Sequence, residues 1–188
     1  MNHLGTVLLE TERLELRRFM MKDSKQMYEN WASSSTVTKY LTWEPHPSEL
    51  ATRELLSFWT REYEKSDFYI WAIVLKENNE NIGAISVVGI DENISSVKIG
   101  YCLSELYWNQ GYMTEALKRI MRFFFEEVEV NRVESCHSVL NPASGEVMKK
   151  AGLLIEGIKK DGDMSNAGLS DLVMYGLVRE DFEKNKIL

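Results

Sequence analysis

The chain has 188 residues and a formal net charge of −7 at pH 7. This length, together with 44% hydrophobic and 27% charged residues, is typical of one globular domain spanning 1–188. The excess of acidic residues argues against a nucleic-acid-binding protein that works through a broad cationic face.

The chemistry-bearing residue types exclude further classes of protein. Cys102 and Cys136 are the only cysteines, and the three histidines are not paired at metal-ligand spacing, so we expect neither a disulfide framework nor a metal site. No apolar run approaches the ~20 residues of a membrane span, and residues 1–12 lack the pattern of a signal peptide. We therefore expect a cytoplasmic protein without membrane contact.

The first third of the sequence predicts one strand followed by helices. Residues 11–19 alternate between apolar and charged side chains, which indicates a half-buried strand. Asp23 and Ser48 are suitable N-cap residues for two helices, and a short helix is expected at 37–41. The helix after Ser48 would place on its inner side Ala51, Leu55, Phe58 and Trp59.

The middle of the chain predicts three strands and then the strongest helix. Two apolar runs, 69–75 and 82–90, are joined by a polar loop typical of a hairpin, and a third strand covers 94–103. From Met113 to Val128 the apolar residues recur at helical spacing.

The last third predicts alternation of strands with one helix. A strand at 133–140 is followed by Asn141-Pro142, which is a favourable helix start with Asn as the cap. Two strands, 154–159 and 172–178, flank a polar loop at 161–168. The order of elements predicts a mixed α/β sheet with helices on its faces.

The turn from Trp108 to Thr114 leads from a strand into the strongest helix. A helix N-terminus carries unpaired N–H groups and a partial positive charge, and Gly111 lets the backbone approach a ligand closely. Such a turn can bind a phosphate without a lysine, although the same pattern also suits a plain strand-to-helix connection.

Four segments, in order along nearly the whole chain, resemble the GNAT superfamily of N-acetyltransferases. The branch that they resemble most contains the bacterial ribosomal-protein N-terminal (alanine/serine) acetyltransferases. The segments are Thr11-Glu12-Arg13-Leu14 with Leu16-Arg17, Ile99–Leu103 with Trp108–Ala116, Asn141 with Ser144, Lys150 and Gly152, and Asp171 with Tyr175 and Leu177–Asp181. The chain departs from the family pattern at Trp108 and Met113, which stand at the ends of Q/R-x-x-G-x-G/A, and at Leu153, which replaces an aromatic residue.

The resemblance implies the GNAT acyl-CoA N-acyltransferase fold. Its mostly antiparallel sheet is splayed between the fourth and fifth strands, has helices on both faces and binds acetyl-CoA in the gap. Backbone groups of the strand would bind the pantetheine, N–H groups of the turn would bind the pyrophosphate, and the Met113 side chain would lie in the core. The implied acetyl-CoA contacts are Tyr101, Cys102, Leu103, Trp108, Asn109, Gln110, Gly111, Tyr112, Met113, Thr114, Asn141, Ser144 and Lys150.

The resemblance also implies direct attack of a primary amine on the thioester, with no acyl-enzyme. Cys102 and Cys136 are therefore expected to be small core residues. The proton donor to the leaving sulfur would be Ser144, Tyr101 or Tyr175. The candidates for the general base, chosen only by their position in the sequence, are the carboxylates Glu44, Asp91 and Glu105. We take Ser144, Tyr101 and Glu44 as the predicted catalytic residues.

The resemblance further implies that the helices between residues 23 and 65 form the acceptor wall. The aromatic residues in this range are Trp31, Tyr40, Trp43, Phe58, Trp59 and Tyr63. Tyr40, Trp43 and Glu44 are the favoured lining residues because they precede Pro45 in a loop.

The acceptor amine stays open: a protein α-amino group, or a small molecule such as a polyamine, an amino acid or an aminoglycoside. Two alternative functions also stay open for this chain. One is an acyl-CoA-binding or sensing module without catalysis, and the other is an interaction scaffold without affinity for CoA. A homodimer is compatible with the resemblance. Because 109–114 contains no Lys or Arg, we expect backbone N–H groups to hold the anionic acetyl-CoA against the overall negative charge.

Overall fold

The computed structural model describes residues 1–185 and arranges their strands in one sheet of order β1-β2-β3-β4-β5-β6-β8-β7. Every neighbouring pair is antiparallel except β5 and β6, which are parallel. The predicted mixed α/β sheet is confirmed. The strands are β1 (Leu9–Glu10), β2 (Leu14–Arg17), β3 (Ile70–Leu75), β4 (Asn81–Asp91), β5 (Ser96–Leu103), β6 (Arg132–Ser138), β7 (Leu154–Ser165) and β8 (Gly168–Val178).

The helices lie before β3, after β5, after β6 and after β8. They are α1 (Ser24–Met27), α2 (Ser35–Thr38), α3 (Glu49–Glu62), α4 (Tyr112–Phe123), α5 (Pro142–Ala151) and α6 (Arg179–Asn185). The α4 helix continues as a π-helical turn over Phe124–Val128. Phe123 at the end of α4 and Phe124 and Phe125 in the turn are all buried. Among residues 1–185, none of the helices combines the length and the apolar character that crossing a membrane requires.

Strand β3 separates two hydrophobic cores. Its side chains are buried along the whole strand, and alternate residues point to opposite faces of the sheet. Trp71 and Ile73 belong to the core beneath α4 and α5, whereas Ala72 and Val74 belong to the core beneath α1 and α3. Helices therefore cover both faces, as predicted.

Strands β5 and β6 diverge after a short parallel pairing. They pair only from Ser96 to Lys98 on β5, against Arg132 to Glu134 on β6. One residue further, the Ser135 hydroxyl donates to the Ile99 carbonyl (2.8 Å), and no further β5–β6 pairing follows in the described structure. These are the fourth and fifth strands of the sequence prediction, so the expected splay is confirmed.

Two local predictions were wrong, and a third was right only in part. Residues 161–168 are not a loop, because β7 and β8 continue through them and turn at Asn166 and Ala167. Phe58 is 46% exposed, since α3 buries Thr52 and Leu56 instead. Asp23 occupies the N-cap position of α1 as predicted, but its side chain makes no capping bond there; the buried carboxylate accepts the Met20 N–H and pairs with Arg17 instead.

The close approach of β4 and β5 generates a stability prediction. A β-carbon on Gly83 would lie 2.4 Å from the Cys102 carbonyl oxygen, so one strand must shift. We expect Gly83→Ala to lower the free energy of unfolding by about 1–3 kcal/mol in urea denaturation. On the same strand, a β-carbon on Gly89 would lie 3.5 Å from the Lys98 β-carbon, an ordinary contact. Gly89→Ala is therefore the control, and equal losses in both variants would contradict the prediction.

Candidate active site

The turn before α4 presents a row of free backbone donors. Asn109 and Gly111 take positive φ angles of 60° and 83°, which orient the backbone into the first turn of the helix. Within the described structure, none of the N–H groups from Asn109 to Thr114 donates to a protein acceptor. Free donors at a helix N-terminus stabilise an anion, so this turn suits the pyrophosphate of CoA.

Arg13 braces this turn from the other end of the sequence. Its guanidinium donates to the Gln110 carbonyl (3.0 Å) and lies 4.1 Å above the centre of the Tyr112 ring. It also pairs with Glu115 on α4 through two contacts of 2.7 Å. The side chain is 41% exposed, so a cation stands beside the turn that lacks one in its own sequence.

Glu115 fixes Arg13 in this position. Its carboxylate accepts the Thr11 hydroxyl (2.5 Å) and the Arg13 N–H (3.0 Å). Burial alone would raise the pKa of this carboxyl, but the hydrogen bonds from Thr11 and Arg13 and the Arg13 charge outweigh it and lower the pKa. Glu115 is therefore ionised at neutral pH and holds the brace.

The two departures from the family pattern have separate structural roles. The Trp108 indole N–H donates to the Leu103 carbonyl (2.8 Å) and ties the turn to the end of β5. The Met113 side chain is 5% exposed and lies in the core, as predicted, which leaves its N–H on the turn.

A cavity of about 480 Å³ opens between the diverging strands. One side is formed by β5, β6 and the start of α5, including Tyr101, Ser135 and Asn141. The other side is formed by α1, α3 and the loop between α2 and α3. This second wall contains Met27, Tyr40, Leu41, Trp43, Leu55 and Trp59.

Tyr101 and Ser144 meet on the first wall. The Tyr101 hydroxyl lies 2.9 Å from the Ser144 carbonyl oxygen, to which it donates, and 2.9 Å from the Ser144 hydroxyl oxygen. Burial raises the pKa of the Tyr101 hydroxyl, so it keeps its proton at neutral pH. The structure thus brings together two hydroxyls that the sequence analysis named as candidate proton donors.

The other predicted contacts divide between the cavity and the surface. Asn141 occupies the N-cap position of α5 with no capping bond from its side chain, which lines the cavity. Lys150 is exposed at the far end of α5. Cys102 and Cys136 are partly exposed on the cavity wall, so the expectation that both are core residues was wrong; burial raises the pKa of the Cys102 thiol to about 12.

The structure does not bring the predicted bases to the cavity. Glu44, Asp91 and Glu105 are exposed and lie outside its lining, and the alternative donor Tyr175 is buried beside His137. The ionisable side chains on the wall, besides Tyr40, Tyr101 and the two cysteines, are His46, His137 and Asp163.

The two histidines are held differently. His46 Nδ1 lies 2.7 Å from the Thr52 hydroxyl, its ring centre lies 5.4 Å from that of Trp43, and burial lowers its pKa. It is therefore neutral at pH 7. His137 Nδ1 donates to the Ser138 carbonyl (2.7 Å), and its ring fills the space where a side chain at Gly145 would lie.

Asn166 joins the β7–β8 turn to the end of α2 and the loop after it. Its side-chain amide donates to the carbonyls of Thr38 (3.0 Å) and Trp43 (2.9 Å), and its N–H donates to that of Leu41 (3.1 Å). We call this contact the Asn166 latch. Asp163, near the end of β7, is one of the residues that line the cavity.

Sequence reasoning missed Arg13 as a turn contact and also missed His46, Asp163 and Asn166. Arg13 stands in one of the segments that resemble the family, and Asn166 stands in the predicted polar loop. Nothing in the neighbouring sequence indicates the distant residues that they contact. Asp163 was not recognised as a cavity residue because 161–168 was predicted to be a loop rather than the end of β7.

The chain belongs to the GNAT acetyltransferase family: residues 13–154 match the Acetyltransferase (GNAT) domain. It is therefore an N-acetyltransferase that uses acetyl-CoA, and the splayed sheet and free turn fit that cosubstrate.

Similar proteins cover nearly the whole chain. The "Putative ribosomal N-acetyltransferase YdaF" of Bacillus subtilis is 30% identical over 93% of this chain and 96% of its own length. The "Ribosomal-protein-serine acetyltransferase" of Escherichia coli is 25% identical over 89% and 94%. The crystal structure of a "Probable acetyltransferase" superposes with a TM-score of 0.84 at 27% identity, covering 93% of this chain and 98% of that one.

The Arg13 brace predicts a defect specific to the pyrophosphate. We expect Arg13→Gln to raise KM for acetyl-CoA about 10-fold, because the turn loses a charge-assisted support. The KM for S-acetylpantetheine, which has no pyrophosphate, should stay within about twofold in steady-state assays. The control is Arg53→Gln, on the exposed face of α3. Equal losses with both acetyl donors would contradict this role.

The Asn166 latch predicts a defect specific to the acceptor. Each lost hydrogen bond contributes about 0.5–1.5 kcal/mol, so Asn166→Ala should raise KM for the amine about 10-fold. The Kd for CoA, measured calorimetrically, should not change. Asn93→Ala, in the exposed turn between β4 and β5, is the matched control. Weaker CoA binding without a change in the amine KM would show that the latch does not shape the acceptor side.

Proposed function

We propose that the protein transfers the acetyl group of acetyl-CoA to a primary amine by direct attack. The observation that carries this proposal is the single cavity that contains the Tyr101–Ser144 pair on one wall and ionisable and aromatic side chains on the other. The acceptor is a protein N-terminal α-amino group or a small amine. Two similar proteins are named as ribosomal or ribosomal-protein acetyltransferases, which supports a protein N-terminal α-amino group as the acceptor.

The acetyl donor would lie along the splay. The free N–H groups of 109–114, with Arg13 beside them, would hold the pyrophosphate, and the unpaired edge of β5 beyond Lys98 would bind the pantetheine as a neighbouring strand does. Asn141, with no capping bond of its own, would add a side-chain contact. This arrangement directs the thioester toward Tyr101 and Ser144.

The transfer conserves atoms and charge in a simple way. The neutral amine nitrogen attacks the thioester carbon, the C–S bond breaks, and the sulfur leaves with its electron pair. The Tyr101–Ser144 pair donates a proton to that sulfur and recovers one from solvent. No protein nucleophile is required, so the thiols of Cys102 and Cys136 stay outside the reaction.

The amine must lose a proton before or during the attack. We assign this role to the groups that line the cavity rather than to Glu44: the Asp163 carboxylate attracts the ammonium form, and the neutral His46 imidazole can accept its proton.

The proton donor can be tested by removing each hydroxyl. We expect Ser144→Ala and Tyr101→Phe each to lower kcat by about 10- to 100-fold, because a positioned general acid contributes about 10²–10⁴-fold. The KM for acetyl-CoA should change less than threefold. Release of CoA thiol measures both constants, and Ser35→Ala, an exposed serine on α2, is the control. Unchanged kcat in both variants would exclude these hydroxyls. CoA binding without transfer to any amine would favour the sensing module instead.

A further inference from the structure

We propose that the preferred acceptor is a compact monoamine, with a single cationic centre next to an apolar or aromatic group. This inference rests on the proposed transfer to a primary amine, and it names the class of that amine. The inference follows from the chemistry of the acceptor wall, from the charge of the cavity and from the Asn166 latch, which binds the loop that supplies this wall.

The acceptor wall is apolar and aromatic. Tyr40, Trp43 and Trp59 line it together with aliphatic side chains. The Trp43 ring is fixed at its edge by the buried Trp31, with ring centres 6.4 Å apart and planes at 70°. Fixed rings of this kind favour apolar groups by burial and ammonium groups by cation–π attraction.

The charge of the cavity limits the acceptor to one cation. Among the lining residues of the described chain, Asp163 is the single carboxylate, and no Lys or Arg accompanies it. One carboxylate compensates one ammonium. A polyamine or an aminoglycoside would bring further ammonium groups against the aromatic wall without counter-charges, and desolvating them is unfavourable. The many hydroxyls of an aminoglycoside would also lose their hydrogen bonds to water there.

The Asn166 latch limits the size of the acceptor. Its hydrogen bonds hold the β7–β8 turn against the carbonyl of Thr38, at the end of α2, and against those of Leu41 and Trp43. Leu41 and Trp43 lie on the loop that supplies part of the acceptor wall. The cavity of about 480 Å³ must accommodate the acetylated end of the donor as well as the amine. The group next to the nitrogen must therefore be compact.

Two sources share this chemistry. A free arylalkylamine carries its ammonium near one aromatic ring, and a peptide whose first residue is Phe carries its α-amino group near the same ring. The amine and the ring are arranged alike in the arylalkylamine and in the peptide, so the experiment must include both kinds of acceptor.

The test compares acceptors by CoA release and, in parallel, by thermal shift of the protein saturated with CoA. The probes are 2-phenylethylamine, spermidine, kanamycin, and two tripeptide amides that begin with Phe or Ser. We expect kcat/KM for 2-phenylethylamine and for the Phe peptide to exceed that for spermidine, kanamycin and the Ser peptide at least 10-fold. The better of the two favoured probes identifies the source. A preference for spermidine, kanamycin or the Ser peptide would overturn the inference.

The two assays separate the inference from the proposed function. Selective binding of 2-phenylethylamine or the Phe peptide without acetyl transfer would support the acceptor class and reject the transferase chemistry. Transfer without this selectivity would support the chemistry and reject the acceptor class. Failure of every amine to bind would also reject the acceptor class.

Two variants assign the selectivity to the wall. Trp43→Leu should reduce the preference for 2-phenylethylamine over spermidine at least fivefold, and Asp163→Asn should raise KM for the favoured amine at least 10-fold without changing the Kd for CoA. The matched controls are Phe58→Ala, exposed outside the cavity, and Asp161→Asn, on the same strand as Asp163 but outside the lining. Equal effects of the controls would overturn the assignment.

Discussion

The site depends on the early separation of β5 and β6. These strands pair in parallel from Ser96 to Lys98 and then part, so β5 keeps an edge without a partner inside an otherwise continuous sheet. Backbone groups at such an edge need hydrogen bonds from elsewhere, and an extended pantetheine can provide them. The same separation creates the cavity and lets the start of α5 approach β5, where Ser144 meets Tyr101. In the proposed reaction, cosubstrate binding and proton donation would thus both depend on one interruption in strand pairing.

Two contacts between distant parts of the chain complete the site at its opposite ends. At the pyrophosphate end, Arg13 joins the beginning of the chain to the turn before α4, with Glu115 as its counter-ion. At the acceptor end, the Asn166 latch joins β7 and β8 to the loop after α2. The proposed anion site would therefore depend on free N–H groups of the turn rather than on the overall charge of the protein, which is −7.

The two walls of the cavity divide the chemistry between them. The wall of β5, β6 and α5 supplies hydroxyl and amide groups for a polar, charged donor, whereas the wall around Trp43 supplies rings and a single carboxylate, Asp163. In the proposed reaction, a thioester and an amine would approach each other from unlike surroundings. Burial raises the pKa of the Cys102 thiol and disfavours its nucleophilic form, which agrees with a transfer that uses no protein nucleophile.

The sequence by itself determined the features that depend on neighbouring residues. Alternation and apolar runs predicted strands, helical spacing predicted α4, and Gly111 marked the turn. Four ordered motifs carried the resemblance to the family, which implied the splay. The tertiary structure alone decided which side chains reach the site. Arg13 lies far along the chain from Gln110, as does Asn166 from Thr38, and no local periodicity encodes such pairs. Glu44 is next to Trp43 in sequence but is not part of the cavity lining, while Asp163, although exposed, belongs to that lining because β7 continues where a loop was expected. Periodicity reports which face of an element is buried; the ends of strands, and the loops that pack across them, are fixed only when the whole sheet is assembled.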